Sequence, residues 1–345
     1  MAANGLILVV IAVWLLKPSG NNDPIGIGGG APAPEGAAVA TAEAPPKLPT
    51  KADVMAIKGQ HFGLSSPDVP WSSAEVDRIS TAAGANPSMI MVFAKWTEEF
   101  RIEPIELCYE RGALPVLSWE PWAGAANGTS QPKYALAKII NGTYDDYVTR
   151  FATAVRDARW PIAIRFAHEM NGHWYPWSES MSGNKKGEYV KAWRHVHDIF
   201  REVGATNAIW IWSPNILRAV PNVSVSALYP GDKYVDWAGL VGYAVKESTA
   251  APVFEPTLEA VRAVTKKPMV ITETGARPGS RKPGWIRDFF AWLPKHPDVL
   301  GFIWFEYSEE QGGTADWRFT STVSASAAFK AGLKTLKPAA GPTTS

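Results

Sequence analysis

Two stretches of this 345-residue chain carry side chains that could do chemistry. The first is Ile162-Ala-Ile-Arg165-Phe-Ala-His168-Glu169-Met-Asn171-Gly172-His173-Trp174-Tyr-Pro-Trp177. It opens as a short apolar run behind a proline, the pattern of a buried strand. His168 and Glu169 fall side by side where that strand should end, and Asn171-Gly172 signals a turn. The second stretch, Lys267-Pro-Met-Val-Ile-Thr272-Glu273-Thr-Gly275, repeats the plan: an apolar strand, a carboxylate, a glycine turn. Two carboxylates across one pocket suffice to cleave a glycosidic bond. One protonates the departing oxygen, and the other attacks the sugar carbon or activates water. A separation of about 5–5.5 Å would imply a covalent intermediate and retained configuration. Alone, each glutamate would be a surface or ion-paired residue; two at matching strand ends beside aromatic side chains argue for catalysis. Trp174, Trp177, Trp122 and Trp304 are candidate sugar platforms, because a flat apolar face stacks on a pyranose.

Something must hold the two glutamates at one mouth. From Lys51 onward, short β-rich runs alternate with amphipathic stretches, which predicts a parallel sheet wrapped by helices. Eight strands are expected, near 57–62, 89–94, 114–118, 162–166, 208–212, 238–242, 269–272 and 302–305. Helices are expected over 74–81, 144–159, 188–203, 257–265, 285–293 and 325–336, with Cys108 in another over 102–111. This order fits a (β/α)8 TIM barrel forming a single catalytic domain, 51–338; an open doubly wound sheet is the alternative. Glu169 follows the fourth strand and Glu273 the seventh, so a barrel would raise both at its C-terminal face, where such folds keep catalytic groups. On the fifth strand, Trp210 and Trp212 alternate with Ile209 and Ile211. One indole is expected to face the barrel and the other the helices, both as core.

Composition narrows the possibilities. A 46% hydrophobic share supports a real core, and a net charge of +1 offers no field for nucleic acid or an anionic membrane. Most of the 16 tryptophans are expected in the core. The single cysteine, Cys108, excludes an internal disulfide and is expected as a buried, inert thiol. No metal is expected. His168-Glu169 and His173 do not make His-Glu-x-x-His, and His195 and His197 lie two apart on a helix, on different faces. No nucleophile-elbow motif supports a serine triad. Residues 1–17 contain an apolar run, Leu6–Leu16, too short for a comfortable membrane span, and are expected as a signal peptide or short membrane anchor. Residues 18–50, rich in Pro, Gly and Ala, are expected as a linker, and 339–345 as a disordered tail.

The segment Arg165-Phe-Ala-His168-Glu169-Met-Asn-Gly-His-Trp174-Tyr-Pro-Trp177 resembles the hallmark of glycoside hydrolase family 26, and Ile271-Thr-Glu273-Thr-Gly resembles its second signature. The resemblance spans about 57–336. It implies a retaining (β/α)8 enzyme with Glu169 as acid/base and Glu273 as nucleophile. Tyr234-Val-Asp236-Trp-Ala-Gly-Leu-Val-Gly-Tyr243 is similar to the family's sixth strand, implying that Tyr243 hydrogen-bonds the nucleophile. Clan analogy implies that Trp304 floors the reacting sugar. The nucleophile must be ionised, which Arg165 or Tyr243 could favour. The acid must be kept protonated by burial and a neighbouring charge. His168 could donate to a sugar hydroxyl or orient a carboxylate. One position departs from the family's mannanases. Leu117-Ser-Trp119-Glu120 places a glutamate where they often carry histidine, which argues against mannan and makes Glu120 a candidate for binding a hydroxyl.

The expected protein is therefore a secreted or membrane-tethered endo-β-glycosidase, monomeric and without cofactor, acting on mixed-linkage β-glucan or β-1,4-mannan. A non-catalytic carbohydrate-binding barrel and a transglycosylase acting on the cell's own exopolysaccharide are the alternatives.

Overall fold

A computed structural model describes residues 48–343. The expected signal or anchor over 1–17 and most of the expected linker lie outside these residues. The described chain begins with helix α1, Lys51–Ala56, opened by a capping box: Thr50 accepts from the Asp53 N–H, and the Asp53 carboxylate accepts from the Thr50 N–H. Eight parallel strands follow: β1 His61–Ser65, β2 Met89–Lys95, β3 Leu114–Glu120, β4 Ile162–Phe166, β5 Ala208–Trp212, β6 Trp237–Ala244, β7 Met269–Ala276 and β8 Val299–Phe305. They close in sequence order, β8 pairing back onto β1 with His61 opposite Gly301 and Ser65 opposite Phe305. The crossovers carry α2 Ser73–Ala83, α3 Glu103–Glu110, α4 Leu136–Ile140, α5 Asp145–Ala158, α6 Glu188–Glu202, α7 Ala251–Arg262 and α8 Lys282–Trp292; α9, Val323–Leu333, follows β8. This is the expected (β/α)8 barrel.

The two-residue period of the strands sorts their side chains into two cores. Met89, Met91, Val116, Ala163, Ile209, Ile211, Val270 and Ile303 fill the barrel. Phe62, Ile90, Trp119, Ile164, Phe166, Phe302 and their outward neighbours pack under the helices. Trp210 and Trp212 both belong to this outer layer. The expectation that they divide between the two sides fails because residues two apart on a strand share a face. The same parity removes Trp304 from the mouth. Its indole is fully buried among Phe329, Phe319 and Trp285, with ring centroids 5.1, 6.1 and 6.3 Å away, and it donates to the Trp317 carbonyl at 3.1 Å. It therefore floors no sugar.

Other elements shift. β1 begins at His61 rather than Ile57, after Gly59 turns the chain with φ 110°. α7 starts six residues before the expected Thr257, because Pro252 suits a first turn and the helix tolerates Pro256 at the loss of one hydrogen bond. The expected tail is docked at its start: Ala339 is buried and its N–H donates to the Gln60 carbonyl at 3.0 Å.

Replacing Trp304 with alanine is expected to cost about 3–5 kcal/mol of stability through the cavity it leaves. A lowered denaturant midpoint, with the Michaelis constant for substrate unmoved, is the outcome that checks its structural role.

Candidate active site

β4 ends at Phe166, and the next three residues turn sharply. Ala167 and Glu169 adopt positive φ, 44° and 53°, a conformation costly for residues with a Cβ. Three bonds hold the turn: Ala167 N–H to the Trp119 carbonyl at 3.1 Å, Glu169 N–H to the Ser213 carbonyl at 2.7 Å, and Gly172 N–H to the Glu169 carbonyl at 2.9 Å. Asn171 and Asn215 exchange two 2.8 Å bonds, tying this loop to the one after β5. The outcome is a carboxylate, Glu169, only 2% exposed at the barrel mouth.

Glu273 reaches the same mouth by a different device. Along β6 and β7, Leu240 faces Ile271 but Val241 faces Glu273, so Thr272 is an extra residue. The ladder to β8 is irregular over the same stretch, Ile271 to Thr274. Val270 points into the barrel, and simple alternation would then send Glu273 out toward the helices. The bulge resets the phase, so Thr272 and Glu273 both turn inward. Thr272 shares a 2.6 Å hydroxyl bond with Ser213. Glu273 forms a 2.7 Å ion pair with Arg165 and accepts a 2.6 Å bond from the Tyr243 hydroxyl.

Arg165 is fully buried and projects from β4 into the barrel, where it also donates to Ser118 at 2.7 Å and Ser213 at 3.2 Å. The two oxygens of Glu273 are thus taken up by a guanidinium and a phenol. Glu169 sits in a different environment. Burial first, then the charge of Glu273, push its carboxyl up to about 7, against weaker opposing effects of Arg165, the Trp174 indole and Asn215. The site thus holds two carboxylates in different surroundings, Glu273 ion-paired with Arg165 and Glu169 raised by burial.

The expected supporting residues gather here with altered roles. Trp174 is nearly buried and donates its indole N–H to Glu169 at 2.5 Å. Its ring lies over Gly172, where a Cβ would come within 2.5 Å of it. Trp122 and Trp177 are 1% and 0% exposed and meet edge to face, so neither offers a free platform. Trp177 stacks on Tyr175 and bonds the His168 carbonyl; Trp122 bonds Glu120 at 2.9 Å. Together they tie the loop after β3 to the loop after β4. His168 lies 3.2 Å from the Tyr175 hydroxyl and 3.9 Å from Glu120, and burial then Arg165 hold its pKa well below the ordinary value. That shift favours the neutral imidazole. Burial drives Glu120 up to about 8.

Sequence inspection missed Ser118, Ser213, Thr272, Asn171 and Asn215, which orient the charged groups. It also missed Trp317, whose ring packs 4.6 Å from Tyr243. Among the described residues no cluster of three or more His, Cys, Asp or Glu is arranged to hold a metal. A cavity of about 340 Å³ opens between β2, β3 and α3, lined by Trp71, Phe93, Phe100 and Ile105.

A closed (β/α)8 barrel with two buried glutamates at its C-terminal mouth defines the class of this protein. Residues 125–289 match the family described as Glycosyl hydrolase family 26. Endoglucanase H of Acetivibrio thermocellus is 30% identical over 273 residues, 75% of this chain but 29% of that protein. A mannan endo-1,4-beta-mannosidase of Bacillus subtilis is 24% identical over 289 residues, 74% of this chain and 75% of that one. A solved GH26 beta-mannanase from Bacteroides ovatus shares the fold with a TM-score of 0.63 at 18% identity, over 82% of this chain and 90% of that one. The chain is similar to glycosyl hydrolase family 26 over residues 125–289, just under half of its length.

Trp174→Phe removes a hydrogen bond that favours the charged form of Glu169. The carboxyl is therefore expected to titrate at higher pH in the variant, measured by NMR on carboxyl-labelled glutamate. A downward or absent displacement would contradict the bond.

Proposed function

We propose that this protein is a retaining endo-β-glycosidase that cleaves internal bonds of a β-linked polysaccharide by double displacement. The reading rests on one observation: two buried carboxylates share one mouth, Glu273 held by Arg165 and Tyr243 and Glu169 pushed up toward its protonated form. Glu273, paired with Arg165 and bonded by Tyr243, is the nucleophile that attacks the anomeric carbon. Glu169, protonated through burial and the charge of Glu273, gives its proton to the departing oxygen. Once the covalent glycosyl–enzyme forms, the negative charge of Glu273 is consumed. That loss lowers the Glu169 pKa, and Glu169 then takes a proton from the attacking water.

Among β-linked backbones we favour a glucan over mannan. Glu120 stands where the family's mannanases often carry histidine. The 30% identity to a protein named an endoglucanase, against 24% to one named a mannosidase, supports the same choice. Three buried polar atoms around the carboxylates, Glu120 Oε1, His168 Nδ1 and Arg165 Nη2, have no protein partner among the described residues. Such atoms cost about 1–3 kcal/mol each, and the hydroxyls of a sugar are suited to satisfy them.

Glu273→Ala should lower kcat at least a hundredfold while the thermal unfolding curve persists. Retention of activity within tenfold would remove Glu273 from the nucleophile's role. Glu169→Ala should spare aryl glycosides with good leaving groups far more than polymer, since little proton donation is needed there; equal losses would count against the acid. Reducing ends released from lichenan, mannan, β-1,3-xylan and cellulose would rank the substrates. Longer oligomers, in place of reducing ends, would mark a transglycosylase.

A further inference from the structure

Beyond Tyr243 and Glu273 the β6–β7 ladder continues through Ala244 opposite Ala276, and the Arg277 N–H bonds the Ala244 carbonyl at 2.9 Å. A pocket of about 180 Å³ opens there, between the loops leaving β6 and β7. Its charged lining is Lys246, Glu247, Arg277, Arg281 and Lys282. Strands rise about 3.3 Å per residue. The pocket therefore starts roughly 10 Å along β7 from Glu273, on the same open face of the barrel.

The single acid in this lining is already neutralised. Glu247 is ion-paired with Arg218, and its Oε2 accepts the N–H groups of Val245 and Lys246 at 3.0 and 3.1 Å. Asp316, near Lys282, pairs with Arg318 at 2.7 Å. Lys282 feels the charges of Asp316 and Glu306, but Lys246, Arg277 and Arg281 have no ion pair with a carboxylate among the described residues. Arg281 donates to the Lys246 carbonyl at 2.9 Å, and Lys282 to the Asp316 carbonyl at 2.9 Å and the Ser321 hydroxyl at 3.2 Å. Among the described residues no carboxylate forms an ion pair with Lys246, Arg277, Arg281 or Lys282. The N-terminus of α8 opens on the same pocket with no acidic residue in its first turn and no side-chain cap, so its dipole adds to the positive field. Isolated surface cations carry little meaning. Three of them, Lys246, Arg277 and Arg281, line one concavity beside a neutralised acid and an uncapped helix, a lining that favours an anion. Its volume is several times the roughly 30 Å³ share of one water, room for a carboxylate or a tetrahedral oxyanion.

We propose that this pocket binds an anionic substituent of the polysaccharide, a uronate carboxylate or a sulfate or phosphate ester, on a sugar held next to the carboxylate pair. The proposal rests on the glycosidase reading for the identity of the chain, but the pocket's affinity for anions does not. The substrate is then a charged β-glycan rather than a neutral one. Binding energy from a group remote from the scissile bond would be drawn on to position it.

The full chain would be titrated with sodium sulfate and with sodium acetate at constant ionic strength, following the amide resonances of Ser280, Arg281 and Gly284. Saturable movement that weakens at least tenfold in Arg277→Ala/Arg281→Ala is expected. Response to sulfate alone assigns an ester, and response to acetate alone a uronate. No saturation with either ion, or equal affinity in the double variant, overturns the pocket. Both arginines are exposed, so the variant should fold, and Arg277→Glu gives a second check by charge reversal. The ratio of kcat/KM for a carboxymethylated polymer to that for its neutral parent should fall at least tenfold in the double variant. An unchanged ratio beside intact anion binding overturns the link to substrate. If neither polymer is cut, the glycosidase reading fails, while the titration still decides the pocket.

Discussion

Arg165 and Glu273 sit 2.7 Å apart at the centre of the barrel mouth, one wholly and the other almost wholly removed from solvent. Removing two charges from water costs several kcal/mol per ion, and breaking such a pair by deleting one partner typically costs about 3–5 kcal/mol. The surrounding structure can be understood as what makes this pairing tolerable. Ser118 and Ser213 take up further guanidinium donors from the strands on either side of β4, and Tyr243 satisfies the other oxygen of Glu273 from β6. Even the bulge at Thr272 serves it, since without that extra residue the carboxylate would face the helices. The same pair adds to what burial does to its neighbours: burial and then the charge of Glu273 raise Glu169, and burial and then the charge of Arg165 lower His168.

The parts legible in the sequence were those where one physical signal dominated. Ala208–Trp212 fell where expected because an uninterrupted apolar run marks a strand buried on both faces, and Ile162–Phe166 did so with Arg165 as its single polar residue. β1 slipped because His61-Phe-Gly-Leu-Ser65 is half polar, its histidine, glycine and serine lying on the barrel's inner side. The two glutamates were legible because carboxylates at the ends of apolar strands are conspicuous. Their supports were not. Ser118, Ser213 and Asn215 are common uncharged residues that become neighbours of Arg165 and Glu169 only through the register of adjacent strands, as when Ser118 falls opposite Arg165. The bulge at Thr272 carries no glycine or proline to announce it.

The tryptophans show how residue type misleads when geometry is unknown. An indole near a glutamate in sequence suggested a sugar platform, yet Trp122, Trp177 and Trp304 are all sealed. Each uses its N–H to hold a loop, through Glu120, the His168 carbonyl and the Trp317 carbonyl respectively. Their large rings and single donors make them suited to pinning long irregular segments over a barrel, where a smaller side chain would leave a void.

The far end of the cylinder bears on how the molecule can be presented. α1 lies across the starts of the strands: Val54 plugs the interior beneath Met89 and Leu114, and Lys51 binds the Ala208 carbonyl and Asp236 just ahead of β6. Pro338 pairs with Gln60 just before β1, so the described chain enters and leaves on this sealed side. The described chain therefore starts and stops at the closed bottom of the barrel, and neither of these two points crowds the rim where the glutamates stand.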